Sequence, residues 1–143
     1  MSNTHMGQRP SEHVTLEAVD VGGGDQEDLN LRRIHPDGTR ETSPFSVPAS
    51  KVLVVTDVDW QYNSGDPKSR QTFRIFIRDF ENDESHRVFE STIILNDSGD
   101  GGISEGMTSG FVLSSKGTLQ GDVSPGGGMI NHIIIRGYLC RES

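Results

Sequence analysis

The sequence predicts an all-β protein, namely a single antiparallel β-sandwich or jelly roll of about eight strands. Short segments rich in β-branched and aromatic residues recur along the 143 residues, and clusters of Gly, Pro, Asn, Asp and Ser separate them. No long segment keeps the 3.6-residue period of an amphipathic helix. The length fits one domain, which we expect to span residues 13–143 after a disordered segment over residues 1–12.

Each predicted strand is bounded by turn signals. In chain order the strands are 14–19, 29–34, 52–62, 72–80, 87–95, 110–114, 118–123 and 130–139. The clearest turn clusters lie at 22–25, 35–38, 63–67, 96–102 and 124–128. Because the strands are short and the turns frequent, a sandwich is favoured over a closed barrel.

Alternation within three strands predicts which side faces the core. In 52–62 the odd positions become acidic from Asp57 onward, so the even positions, Trp60 among them, are expected to be buried. In 72–80 the residues expected to face the core are at odd positions, namely Phe73, Ile75 and Ile77. In 130–139 they are Ile133, Ile135 and Leu139.

The outer faces of two strands carry more apolar side chains than a monomer would expose. They are Arg74, Phe76, Arg78 and Phe80 on one strand, and Ile130, His132, Ile134, Arg136 and Tyr138 on the other. Burying one large apolar side chain contributes about 1.5–3 kcal/mol, so a solvated face of this kind is disfavoured. We therefore expect a homo-oligomer, and by analogy with other compact jelly rolls a trimer. The alternative is that the glycine-rich segment 96–110 covers these faces within one chain.

A first candidate ligand site lies where the strand 52–62 ends. Tyr62 is followed by a polar loop that contains Asn63 and Asp66. An aromatic face beside Asp and Asn side chains at the rim of a sandwich suits the binding of sugars. Since the alternation places Trp60 in the core, Tyr62 and Asn63 are the better rim candidates.

A second candidate site is cationic. Arg74, Arg78, His132 and Arg136 would converge if their strands were neighbours in one sheet, and would then bind a sialic acid, a sulfate or a carboxylate. The alternative is that these side chains pair across a subunit interface with acids such as Glu90.

The loop 96–102 resembles the start of a calcium loop, with Asp97 and Asp100 as the candidate ligands. An EF-hand loop closes with a Glu at its twelfth position, which here is Met107, whereas Glu105 comes two residues early. An ordinary turn is the alternative. We expect no other cofactor.

Composition excludes several functions. The net charge of −8, from 13 basic and 21 acidic residues, disfavours nucleic-acid binding, and no apolar stretch is long enough to cross a bilayer. The single cysteine, Cys140, allows no internal disulfide. No secretory signal begins the sequence, so a cytoplasmic protein and an exported one whose leader is missing both stay open. No His-x-His pair occurs and no Gly-Lys-Ser/Thr of a phosphate loop, so we expect no enzymatic activity.

Residues 44–58 carry a family resemblance. Val47-Pro48-Ala49-Ser50-Lys51 resembles the Val-Pro-Ala-Gly-Lys motif that begins a strand in small bacterial β-sandwich proteins of mostly uncharacterised function, with Ser50 in place of the usual Gly. Residues 124–139 resemble the closing strand of those proteins. The resemblance implies a β-sandwich fold and assigns no catalytic residue.

Together these observations predict a non-enzymatic binding module. It would be lectin-like or adhesin-like and would recognise a glycan or a cell-surface partner through its rim loops. The alternative is a structural subunit of a capsid, fibre or surface layer. A cupin-like or hydrolytic enzyme comes third.

Overall fold

The computed structural model describes residues 12–22 and 24–142. Nine strands occur in them: β1 (His13–Gly22), β2 (Glu27–Asp28), β3 (Arg32–Ile34), β4 (Lys51–Asn63), β5 (Arg70–Asp79), β6 (Glu84–Ile94), β7 (Gly101–Ser114), β8 (Gly117–Ser124) and β9 (Met129–Arg141). These residues contain no α-helix, and hence no helix that could cross a membrane. The segment 1–12, predicted to be disordered, lies outside the described residues except for Glu12.

The strands form two antiparallel sheets, which confirms the predicted fold class. The five-stranded sheet has the order β3-β1-β9-β4-β7, and the four-stranded sheet has the order β2-β8-β5-β6. The predicted strand 29–34 is shorter in the structure, because only Arg32–Ile34 pair with β1. Leu29 and Leu31 precede this strand and are buried in the core instead.

The core lies between the two sheets and is built around Trp60. This side chain is fully buried, as its position in the alternation predicted, and its indole N–H donates a 2.9 Å hydrogen bond to Ser91 Oγ. The Trp60 ring lies 5.2 Å from the Phe73 ring, centroid to centroid. The odd positions predicted to be buried in β9, such as Ile133 and Ile135, are also in the core. The prediction that Ile130 lies on the outer face is wrong: it is buried, because a register shift after His132 pairs Ile130 with the buried Tyr62.

The alternation in β4 changes phase midway, and the prediction that all its even positions face the core is wrong for the first half. Leu53 and Val55 are buried there, whereas Val58 and Trp60 are buried further along. The cause is a β-bulge at Thr56, because the register with both neighbouring strands shifts between Val55 and Asp57. One extra residue moves every later side chain to the opposite face.

The glycine-rich segment does not cover an outer face. From Gly101 onward it forms β7, an edge strand that pairs with β4 through Tyr62↔Gly101 and its neighbours. The alternative that this segment shields the outer faces is therefore wrong. The sequence predicted only residues 110–114 of this strand, because the glycines before them contribute no alternating apolar side chains.

Candidate functional site

Three turns meet at one end of the sandwich and form its rim. Gly65 N–H donates a 3.0 Å hydrogen bond to the carbonyl of Gly99, and Ser64 N–H donates one of 3.2 Å to Asp100 Oδ1. Gly128 N–H donates one of 2.7 Å to the Tyr62 hydroxyl. Because backbone groups tie the turns together, the rim is held in one arrangement.

The contact between the first two turns requires glycine at position 99. Gly99 has a φ of +80°, and a Cβ there would lie 2.1 Å from the Gly65 carbonyl oxygen. Any larger residue would push the turns apart and change the shape of the rim.

A polar cleft of about 610 Å³ lies beside these turns, and we call it the rim cleft. Its lining is Asp59, Gln61, Tyr62, Asn63, Asn96, Asp100, Gly101, Gly102, Ile103, Ser104 and Asn131. Amide and carboxylate side chains dominate this set, so the cleft offers both donors and acceptors of hydrogen bonds. Ile103 adds the one large apolar side chain that is exposed, at 39%.

Asn131 is the unusual member of this lining. Gln61 pairs with His132 whereas Tyr62 pairs with Ile130, so Asn131 is the extra residue of a β-bulge in β9. Its Oδ1 atom is buried and accepts no hydrogen bond from any described residue. An unsatisfied buried acceptor costs about 1–3 kcal/mol, and a donor brought by a ligand would remove that cost.

The structure confirms the predicted position of only some of the rim residues. Asn63 lines the rim cleft, as does Asp100 from the predicted calcium pair, whereas Asp66 lies in the same loop outside the lining. Tyr62 is only 1% exposed, so the expectation that its ring offers an open face for a sugar is wrong. The loop at Gly65 lies against the ring, since a Cβ at Gly65 would lie 2.9 Å from Tyr62 Cε2.

The predicted cationic site does not form. Arg74 and Arg78 belong to β5 in the four-stranded sheet, whereas His132 and Arg136 belong to β9 in the five-stranded sheet. Side chains on the outer faces of two stacked sheets point away from each other. The condition that their strands be neighbours in one sheet is therefore not met.

Two of these cations pair with acids of the same chain. Arg74 Nε donates a 2.8 Å hydrogen bond to Glu90 Oε2, so the pairing with Glu90 is within one chain and not across an interface. Arg78 Nε donates one of 3.1 Å to Asp83 Oδ1.

His132 is also paired within the chain, since its Nε2 lies 2.8 Å from Glu17 Oε2. Arg136 stands in the middle of the outer face, between Thr15 of β1 and Asp57 of β4, with its side chain exposed.

Asp122 completes the Arg74 cluster. Its Oδ1 lies 3.9 Å from Arg74 Nη1 and accepts no hydrogen bond from a described residue. Burial raises the pKa of the Asp122 carboxyl, and the nearby Arg74 guanidinium offsets part of that rise. Arg74, Glu90 and Asp122 thus form a network of charged side chains on the surface of the four-stranded sheet.

The predicted calcium ligands lie in a turn held by its own hydrogen bonds. Asn96 Oδ1 accepts hydrogen bonds from the N–H groups of Ser98 and Asp100, at 2.8 and 3.0 Å. Asp97 points to Lys68, with 3.4 Å between Oδ1 and Nζ. Within residues 12–22 and 24–142, no group of three or more His, Cys, Asp or Glu side chains is placed to hold a metal ion.

The outer face of the five-stranded sheet has two unlike halves. Near the rim its side chains are polar, as at Asp59 and Gln61. At the far end, Val54 lies between Val112 of β7 and Tyr138 of β9 in directly paired positions. We call Val52, Val54, Val112 and Tyr138 the apolar strip. Val112 is 51% exposed, and the strip contains no charged side chain.

Sequence reasoning missed most of the rim cleft. Asp59 was predicted only to lie on the acidic side of its strand, away from the core, and neither Gln61 nor Asn131 was singled out. A bulge leaves no local signature in an apolar pattern, so the place of Asn131 in the lining of the cleft could not be predicted. The usable signals were the polar turns at 63–67 and 96–102, which contain Asn63 and Asp100.

Comparison with known proteins supports the fold alone. No protein-family model matches the sequence, and no curated protein matches it. The fold is similar to that in the crystal structure of murine APRIL at pH 5.0, with a TM-score of 0.55 and 9% sequence identity, over 88% of this chain and 99% of that one.

Two Cowpea mosaic virus structures, of naturally occurring empty particles and of an empty virus-like particle, match at 14% identity and a TM-score of 0.35. They cover 92% of this chain and 81% and 79% of theirs, and a TM-score this low supports no further comparison. The class of the protein is the antiparallel jelly-roll β-sandwich.

Proposed function

We propose that this protein is a non-enzymatic, lectin-like or adhesin-like binding module that takes a glycan in the rim cleft. The observation that carries this proposal is a preformed polar cleft whose lining includes Asn131, a residue with an unpartnered side-chain oxygen just beneath the surface. A sugar hydroxyl is a small donor that would satisfy this oxygen. Its other hydroxyls would meet Gln61 and Asn63, whose amides both donate and accept hydrogen bonds.

The remaining lining fits the same ligand class. Asp59 and Asp100 add carboxylate acceptors, and the exposed Ile103 side chain offers an apolar contact for the C–H groups of a sugar ring. Because no aromatic face is open in the cleft, a single site is expected to bind weakly. Several copies held together would raise the overall avidity without any new contact.

We propose that the protein self-associates through the apolar strip, and that the assembly is a homotrimer. The chain carries a net charge of −8, so two copies repel each other unless they meet at an uncharged surface. The strip provides such a surface at the end of the face that lies away from the rim. The rim clefts lie at the opposite end of that face and would stay open for ligands.

The rim cleft is tested by Asn131→Ala on a glycan array. The unchanged protein is expected to bind a defined set of glycans saturably, and the variant to bind them about tenfold or more weakly, because one buried hydrogen bond is lost. Stability should not fall, because Oδ1 has no partner to lose and its removal also removes an unsatisfied buried acceptor. The matched control is Asn82→Ala, in an exposed turn after β5, which should bind normally.

Two results would contradict the glycan proposal: an array without saturable binding, or equal binding by Asn131→Ala. An empty array together with large, concentration-dependent assemblies would favour the structural-subunit alternative.

Self-association is tested by Val112→Lys with light scattering on a sizing column. A lysine in the apolar strip places a charge where neighbouring copies meet, so the assembly is expected to fall to monomers. Ile94→Lys is the control, since Ile94 is 66% exposed on the edge strand of the other sheet and should leave the mass unchanged. A monomeric unchanged protein, or an assembly that survives Val112→Lys, would contradict this part of the proposal.

A further inference from the structure

A second cavity lies at the end of the sandwich opposite the rim. We call it the end pocket, and its volume is about 200 Å³. Its inner wall consists of apolar core residues, namely Leu16, Leu31, Val47, Leu113 and Leu119. The two sheets therefore do not close completely at this end, and their shared core is open to a small ligand.

The roof of the end pocket is the segment 44–47, which connects the first part of the chain to β4. Phe45 N–H donates a 2.7 Å hydrogen bond to the Leu31 carbonyl and thereby pins this segment over the opening. On the other side stands Phe80, whose backbone N–H donates a 3.3 Å hydrogen bond to the Lys116 carbonyl. The Phe80 side chain is 57% exposed although it is fully apolar. Its ring is thus available to a molecule that enters the pocket.

The polar residues of the end pocket lie around its opening, whereas its inner wall is apolar. They are Asp28, Asn30, Ser46, Ser115 and Thr118. An apolar pocket with a few polar groups at its edge is the usual form of a small-molecule site. Asp28 places a carboxylate at the opening of the pocket, and the whole chain has a net charge of −8. Both disfavour an anionic ligand. A ligand that donates a hydrogen bond is favoured.

The size of the pocket limits the occupant. A cavity of about 150 Å³ lined by Leu, Ile and Phe binds benzene, so 200 Å³ holds one aromatic ring with a small substituent. Rings also gain from edge-to-face contact with other rings, which Phe45 and Phe80 can supply. We propose that the end pocket binds a small uncharged molecule with a single aromatic ring system and one hydrogen-bond donor, such as phenol or indole. This site is independent of the rim cleft and does not require the proposed function.

The test is titration of indole into protein carrying ¹³C-labelled Leu, Val and Ile methyl groups. Saturable shifts are expected at the methyl groups of Leu31, Leu113 and Leu119, and benzoate should produce none. Val47→Phe is expected to abolish the shifts because the larger ring fills the cavity. The same substitution at the exposed Val19 should leave indole binding unchanged.

Phe80→Ala is the variant with the least risk to folding, since the side chain is mostly exposed. It should weaken indole binding by roughly three- to tenfold, through loss of the ring contact. The proposal is overturned if indole causes no saturable shift, if benzoate binds as well as indole, or if the shifts centre on Ile103 in the rim cleft. It is equally overturned if indole binds Phe80→Ala with unchanged affinity.

Discussion

Replacing Trp60 by alanine is expected to remove about 3–5 kcal/mol of the free energy of unfolding, which is a large part of what a domain of this size has. The side chain is completely buried, and its ring lies 5.2 Å from that of Phe73. Alanine would leave a cavity that neighbouring strands cannot fill, because the sheets are held apart by the rest of the core. The buried Ser91 hydroxyl would also lose the hydrogen bond that it now accepts from the Trp60 indole N–H.

The measurement is urea unfolding followed by far-ultraviolet circular dichroism, since the chain has one tryptophan and the variant would lack its fluorescence. Trp60→Phe is the control. It keeps an aromatic ring in the core and is expected to lose less, about 1–3 kcal/mol, mainly through the unpaired Ser91 hydroxyl. A loss below about 1 kcal/mol for Trp60→Ala would contradict the central place given to this residue.

Gly137→Ala is expected to destabilise the protein by about 3 kcal/mol and to lower Tm by roughly 10 °C. Gly137 lies in β9 and is paired with Val55 of β4 on one side and Val14 of β1 on the other. A Cβ at this position would lie 2.0 Å from the carbonyl oxygen of Val54. Because the obstacle is backbone in the centre of the sheet, the strands themselves would have to separate.

Thermal unfolding of Gly137→Ala and Gly24→Ala side by side tests this expectation. A Cβ at Gly24 would meet no atom within 4 Å, so the second variant should keep the original Tm or exceed it slightly. If the two variants had the same Tm, the inference that β4 and β9 approach too closely at Gly137 for a Cβ would be wrong.

Ser50 links the family resemblance to the structure. The small bacterial β-sandwich proteins have Gly where this chain has Ser50, and Ser50 adopts a φ of +68°, a region that favours glycine. The residue stands just before β4 and turns the chain into the sheet. A glycine would fit this φ without strain, and membership of that group of proteins stays a proposal.

The sequence by itself determined the class of fold and most strand positions. Alternating apolar residues and turn-forming clusters are local features, so they predict where a strand runs and, in β9, that Ile133 and Ile135 are buried. The same reasoning placed Trp60 in the core and Asn63 at the rim. These conclusions need no knowledge of which strands are neighbours.

Only the tertiary structure decided how these pieces combine. The bulge at Thr56 reverses the faces of β4, and the bulge at Asn131 adds this residue to the lining of the rim cleft. Strand order places Arg74 and His132 on opposite sheets, although nothing in their local sequence separates them. The physical reason is common to all of these cases. Register and strand order arise from pairing between segments distant in sequence, and a shift of one residue exchanges the buried face for the exposed one.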